Sequence, residues 1–211
     1  MSLTIHSSRR RFAARLNSSV SLQGKISVDW NEWGRLTRFM ESARISFQRE
    51  ARLWQSLELQ KPEEIKVHVN DDKSYYAVTL EQHCQAVNDD WLLFGLVLVA
   101  SYALAESAAS EKLGLTNMTD VGGVETWGQR LLDGAGSKWS DVKDGKKGAV
   151  EVAVVRNVIA HGDRTYSQTA VNRLSSAGIA NIKVGDPVVL THAVLKDHRA
   201  RLKSLLRAGS I

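Results

Sequence analysis

The chain has 211 residues, 43% hydrophobic and 24% charged, a composition suited to one globular domain with an ordinary core. Its single cysteine, Cys84, excludes an internal disulfide and any multi-cysteine zinc site, and fits a reducing, cytoplasmic setting. The net charge of +5 is concentrated at the ends, since residues 1–20 and 192–211 carry +4 each and leave −3 for the body. Such a distribution suits a polyanion such as RNA, and equally plain solvation.

Residues 1–24 are rich in Ser and Arg, including Arg9, Arg10, Arg11 and Arg15, and lack both hydrophobic periodicity and an apolar leader. A flexible basic arm is expected there, followed by one helical domain over residues 25–211. Asp29 or Asn31 offers an N-cap to a long amphipathic helix whose apolar stripe includes Trp33, Met40, Phe47 and Trp54 and is interrupted by Glu50. Past Pro62, residues 65–69 and 74–80 alternate as the strands of a short hairpin.

From about Leu80 the pattern is helical again, and Asp89 or Asp90 caps an apolar run that continues through Glu106 to Lys112 before Gly114 stops it. Its uncharged part, residues 91–105, is shorter than the roughly 18 to 20 residues a bilayer crossing needs. Apolar on every side, it predicts a buried central helix and no membrane partner. Glu106 must then be paired, protonated or hydrated. Arg156 is a candidate partner; a solvated helix end is the alternative.

The many glycines of residues 114–148 predict a long, partly flexible connection with a short helix at T-W-G-Q-R-L-L-D. Within it, G-A-G-S-K places Ser137 before Lys138, the wrong order for a nucleotide-binding phosphate loop. Lys138 remains a candidate RNA contact on a loop that could cover a substrate. Beyond residue 163, the pattern predicts a short helix over 168–178, two short strands over 182–190 around a G-D-P turn, and a last helix capped by Thr191.

The sharpest chemical signal is V-V-R-N-V-I-A-H-G-D, residues 154–163. Val152, Val155 and Ile159 form a core-facing helical stripe, Gly162 is a natural stop, and Arg156, Asn157 and His161 gather where that helix reaches solvent. A guanidinium binds phosphate oxygens through a planar fork of donors, and an imidazole carries protons near neutral pH. Asn157 and His161 share a helix face. Arg156 and His161 lie roughly 140° apart, so either the turn at Gly162 brings the imidazole back or a second copy completes the site. A solvated helix end is the structural alternative. Asp163 is a candidate supporting group, and Arg164 a candidate RNA contact beside Arg9, Arg10, Arg11 and Lys138. His83 and Cys84 face different directions, and His192 and His198 are six apart, so no metal or other cofactor is expected.

These residues resemble the signature of the HEPN superfamily (higher eukaryotes and prokaryotes nucleotide-binding domain): an arginine, usually followed by a polar residue, and then a histidine. Here Arg156 and His161 are separated by four positions, the first of them Asn157. The resemblance extends over residues 30–208. It implies a mainly all-α bundle with a long central apolar helix and one or two small β-hairpin insertions, which dimerises around the motif. In active members it implies a metal-independent endoribonuclease, acting as a toxin or anti-phage defence effector, with RNA as substrate and an antitoxin or defence-system protein as a possible partner. Arg156, Asn157 and His161 would be the catalytic set of a composite dimeric site that leaves 2′,3′-cyclic phosphates. The alternative is a non-catalytic module binding a nucleotide, RNA or partner protein. In the branch paired with nucleotidyltransferase antitoxins a tyrosine follows two residues after the histidine; Asp163 stands there instead, so that regulation is not carried over.

Overall fold

The computed structural model describes residues 30–57, 59–61, 63–71, 74–115 and 122–211. The basic arm, with Arg9, Arg10 and Arg11, and the possible Asp29 cap lie outside them. Seven α-helices and one two-stranded sheet are described: α1 (Trp30–Ser56), β1 (Lys66–Asp71), β2 (Ser74–Thr79), α2 (Leu80–Val87), α3 (Asp90–Lys112), α4 (Val124–Ala135), α5 (Gly145–Ala160), α6 (Gln168–Ser176) and α7 (His192–Ala208). The fold is mainly all-α.

The centre is α3, which packs against α1, α4, α5 and α7. Asp89 caps it by accepting the Leu92 N–H at 3.2 Å, and the run of Leu, Val and Ala behind that cap supplies Leu93, Phe94, Val97, Leu98, Tyr102 and Ala105 to the core. Counted to its last helical residue, α3 is long and apolar enough to cross a membrane by length and composition, and 56% of its apolar window is buried within this fold. Gly95 lets it approach α5 closely: a Cβ there would lie 2.9 Å from Ile159 Cγ2.

Glu50, which interrupts the stripe of α1, accepts the Trp54 indole N–H at 2.8 Å and lies 3.2 Å from His83 Nε2 on α2. The first hairpin is present, antiparallel with Lys66 opposite Thr79. Thr79 then caps α2 through a reciprocal bond with Gln82.

The short helix expected at T-W-G-Q-R-L-L-D is present as the twelve-residue α4, which buries Val124, Trp127, Leu131 and Leu132. Two expectations are corrected. The residues after α4 are not a flexible lid: they form a short 3₁₀ turn, Trp139–Asp141, tied down by Trp139 Nε1 donating to Gln129 and by the Lys143 N–H donating to Ser204 Oγ. The glycines end the helix, as at Gly136 with φ +68°, and leave its apolar period intact. Residues 182–190 are not a second hairpin. Lys183 to Asp186 turn tightly, with Gly185 at φ +85°, and the segment bonds to the chain following the motif: Tyr166 N–H to Asp186 O, Val188 N–H to Arg164 O, and a single bridge from Thr165 to Pro187.

Candidate functional site

The polar motif sits on the last turn and a half of α5. Val152, Ala153, Val155 and Val158 anchor that helix in the core, so its end is a fixed platform. The helix closes in a Schellman arrangement: the Gly162 N–H reaches Ile159 O at 2.9 Å, the Asp163 N–H reaches Val158 O at 3.1 Å, and Gly162 has φ +78°. His161 is the exposed residue just before this turn.

The end of α5 and the start of α6 enclose a cavity of about 280 Å³ lined by Asn157, His161, Asp163, Ser167, Thr169 and Arg173, with Val154, Val158 and Ala170 as its apolar wall. That is just below the usual range for ligand pockets, which begins at roughly 300 Å³. It suits one phosphate or a small part of a nucleotide.

Arg156 points away from this cavity toward α3. Its Nη1 donates to Asn157 Oδ1 at 2.9 Å and its Nη2 to Glu106 Oε2 at 3.3 Å, and its guanidinium lies 5.0 Å from the centre of the Tyr102 ring. Its Nε is buried without a partner. Arg156 and Glu106 are both largely buried, at 27% and 18% side-chain exposure. Burial raises the Glu106 carboxyl above its usual range, and Arg156 only partly opposes this.

Of the sequence-derived residues, Asn157, His161 and Asp163 therefore converge on one cavity, Arg156 and Glu106 pair behind it, and Asn157 touches both groups. The turn at Gly162 does not bring His161 back to Arg156; no hydrogen bond or ring contact joins the two. Arg164 lies beside the motif and is engaged, with Nη2 donating to Asp89 Oδ2 at 2.5 Å and its guanidinium 4.7 Å from the Trp91 ring centre. Lys138 precedes the 3₁₀ turn that lies before the start of α5, whereas His161 ends that helix. Lys138 is no part of the cavity. Tyr166 is buried.

Sequence reasoning missed Arg173 and Glu125. Arg173 reaches the cavity from α6 while gripping Glu125 of α4 with two bonds, Nε to Oε1 at 2.8 Å and Nη2 to Oε2 at 2.6 Å. That grip holds the Glu125 carboxyl below its usual range. The two residues are 48 apart in the chain, so no local pattern could have joined them. Among the described residues no group of three or more His, Cys, Asp or Glu side chains could hold a metal ion.

Compared with protein-family models, curated proteins and solved structures, the chain finds no match.

Proposed function

We propose that the protein is a metal-independent endoribonuclease of HEPN type whose active site is completed by a second copy of the chain. The observation that carries this reading is the exposed His161 at the mouth of a phosphate-sized cavity it shares with Asn157, the residue that also accepts from Arg156. An imidazole removes the proton of an RNA 2′-hydroxyl. The freed oxygen attacks the adjacent phosphorus, the bond to the 5′-oxygen breaks, and a second imidazole returns a proton to that leaving oxygen, leaving a 2′,3′-cyclic phosphate and a 5′-hydroxyl. Arg156 stabilises charge on the phosphoryl oxygens, and Asn157 orients Arg156 or the phosphate.

One protomer supplies one His161, and Arg156, Arg164 and Arg173 are each held by a carboxylate. A partner's motif supplies the missing imidazole. Leu92 and Leu96 favour that arrangement: they lie one turn apart on α3 with 54% and 60% exposure, near the 62%-exposed Val189, and so leave an apolar strip on the stretch of α3 that abuts Ile159. A toxin or defence effector is the biological setting in keeping with this activity.

Incubation of purified protein with mixed RNA in EDTA, followed by end-group analysis, tests the reading. Wild type is expected to leave 2′,3′-cyclic phosphates. His161→Ala and Arg156→Ala should lose cleavage by at least roughly a hundredfold, and Asn157→Ala by less, all with unchanged helicity by circular dichroism. Cleavage that requires added magnesium would refute this mechanism. Intact RNA that is nevertheless bound would identify the non-catalytic module instead.

A further inference from the structure

The start of α1 and the last turns of α7 enclose a groove of about 530 Å³ lined by Trp30, Trp33, Thr37, Arg38, Lys203 and Arg207. Aromatic rings gather its cations. Lys203 Nζ lies 5.4 Å from the Trp30 ring centre and 6.0 Å from that of Trp33. The Arg207 guanidinium lies 5.8 Å from Trp30 and that of Arg199 lies 4.9 Å from Trp33, and the two indoles meet edge to face at 5.9 Å. A ring attracts a cation through its quadrupole without cancelling its charge.

Arg199, Lys203 and Arg207 follow one another at four-residue steps, so three like charges share one face of α7, a mutually repulsive arrangement. Burial, with Arg207 and Arg199 nearby, pushes the Lys203 ammonium below the usual lysine range. Arg199 is only 7% exposed; it donates to Trp33 O at 3.0 Å, and its Nε has no partner. Among the described residues, no carboxylate forms an ion pair with Arg38, Arg199, Lys203 or Arg207. Of the acids nearby, Glu32 is paired with Arg35 and Asp197 with Lys143 and Arg201; Asp141 accepts from the Lys138 backbone N–H and keeps its charge on the adjoining surface beside Lys203 and Arg207, forming no ion pair with either. Arg201, on the same helix, meets three carboxylates. Among the described residues, the groove thus gathers basic side chains without an ion-pair partner on an ordered wall.

We propose that this groove holds consecutive phosphates of single-stranded RNA away from the cleavage cavity. Lys203 and Arg207 stand about 6 Å apart along the helix axis, with Arg38 across from them, which presents an extended polyanion with a row of donors. The half-exposed Trp30 offers a base something to stack on. Residues 1–29, which lead into Trp30, hold five basic residues and one acid. They are mismatched to the groove as an occupant and matched to the same polyanion. Lys203 and Arg207 also line a surface with Asp141, which lies just before the start of α5, whereas His161 ends that 16-residue helix. Such a helix spans roughly 24 Å, well beyond the Debye length of about 8 Å at physiological salt. The groove therefore acts on capture and leaves the chemistry unchanged.

RNA as the ligand rests on the ribonuclease reading, and the test keeps the two apart. A fluorescent 2′-O-methyl dodecamer cannot be cleaved through a 2′-hydroxyl, so its anisotropy reads binding alone. Lys203→Gln with Arg207→Gln is expected to weaken binding by roughly tenfold and to flatten the salt slope by about 0.7 for each lost contact. With cleavable RNA, KM should rise while kcat holds. The single variant Arg38→Gln, at an exposed position, should shift affinity in the same direction, and it serves if the double variant loses its helicity. Unchanged affinity and salt slope in these variants would overturn the groove even if wild type cleaves RNA. Binding lost in the variants, with no cleavage by wild type, would uphold the groove and refute the nuclease. Inorganic pyrophosphate that binds as tightly as the dodecamer would make this a small-anion site and overturn the assignment to RNA.

Discussion

Arg156 and Arg173 are both held by carboxylates, but unequally. Glu106 meets Arg156 through one contact of 3.3 Å, whereas Glu125 holds Arg173 through two, at 2.8 and 2.6 Å. On the proposed ribonuclease reading, Arg156 is the guanidinium with the looser carboxylate contact to exchange for a phosphate, and Arg173 the more tightly held one. Glu106→Gln is expected to leave the protein folded and to lower KM for RNA, because it frees Arg156 of a competing anion. Loss of cleavage as complete as in Arg156→Ala would instead make Glu106 part of the chemistry. Away from the site, His198 is 3% exposed, and its imidazole is pushed down to about 4 by burial and then by Arg201, against weaker support from Glu151 and Asp197. The unfolded chain takes up this proton near pH 6.5 and the folded chain only near pH 4. Between those values the unfolded state binds more protons, so stability falls as pH falls, by on the order of 3 kcal/mol in all. His198→Leu should flatten urea midpoints across that window. An unchanged pH profile would assign the acid sensitivity to other groups.

At the scale of elements, the closing turn of α5 decides where His161 stands. Gly162 has φ +78°, a conformation that costs an L side chain about 1 kcal/mol or more. Gly162→Ala should therefore lower stability by about that amount and cleavage disproportionately, and Gly162→Asn should do less of both, since asparagine tolerates the left-handed region. Equal thermal and kinetic effects in the two variants would separate the turn from the placement of His161. The elements that announced themselves in the sequence did so through local chemistry. Asp89 and Thr191 cap α3 and α7 with their own side chains, Gly162 and Gly178 stop α5 and α6 in the left-handed region, and the all-round apolarity of α3 could only be satisfied in the centre. The segments misread from sequence depend on distant partners. Residues 182–190 pair with the chain around Arg164 to Tyr166 and not with each other, and the turn after α4 is held by Gln129 and Ser204. The site divides in the same way: Arg156, Asn157 and His161 were visible as a motif. That Arg156 faces α3 while His161 faces α6 emerges only once the helices are packed.

At the scale of the whole molecule, two features fit the proposed second copy. Arg156 contacts α3 while His161 lines the cavity shared with α6, and Leu92, Leu96 and Val189 of the apolar strip are exposed. A pairing that buries this strip brings two copies of the α5 end together, because Gly95 seats that stretch of α3 directly against Ile159. Burying two leucines per protomer supplies a few kcal/mol at about 25 cal/mol per Å² of apolar surface. That is too little alone for a tight dimer, so the flanking surface must contribute as well. Leu96→Glu places an unpaired charge in the middle of the proposed contact, where desolvation opposes association by several kcal/mol. In the monomer it replaces an exposed side chain and should leave circular dichroism and thermal stability nearly unchanged. Wild type is expected to sediment as a dimer at micromolar concentration. Leu96→Glu should sediment as a folded monomer with cleavage reduced in proportion to the lost dimer, and raising its concentration should restore activity along the same curve as assembly. A wild type that is monomeric and fully active would sink the composite site and return the chemistry to the single cavity beside His161.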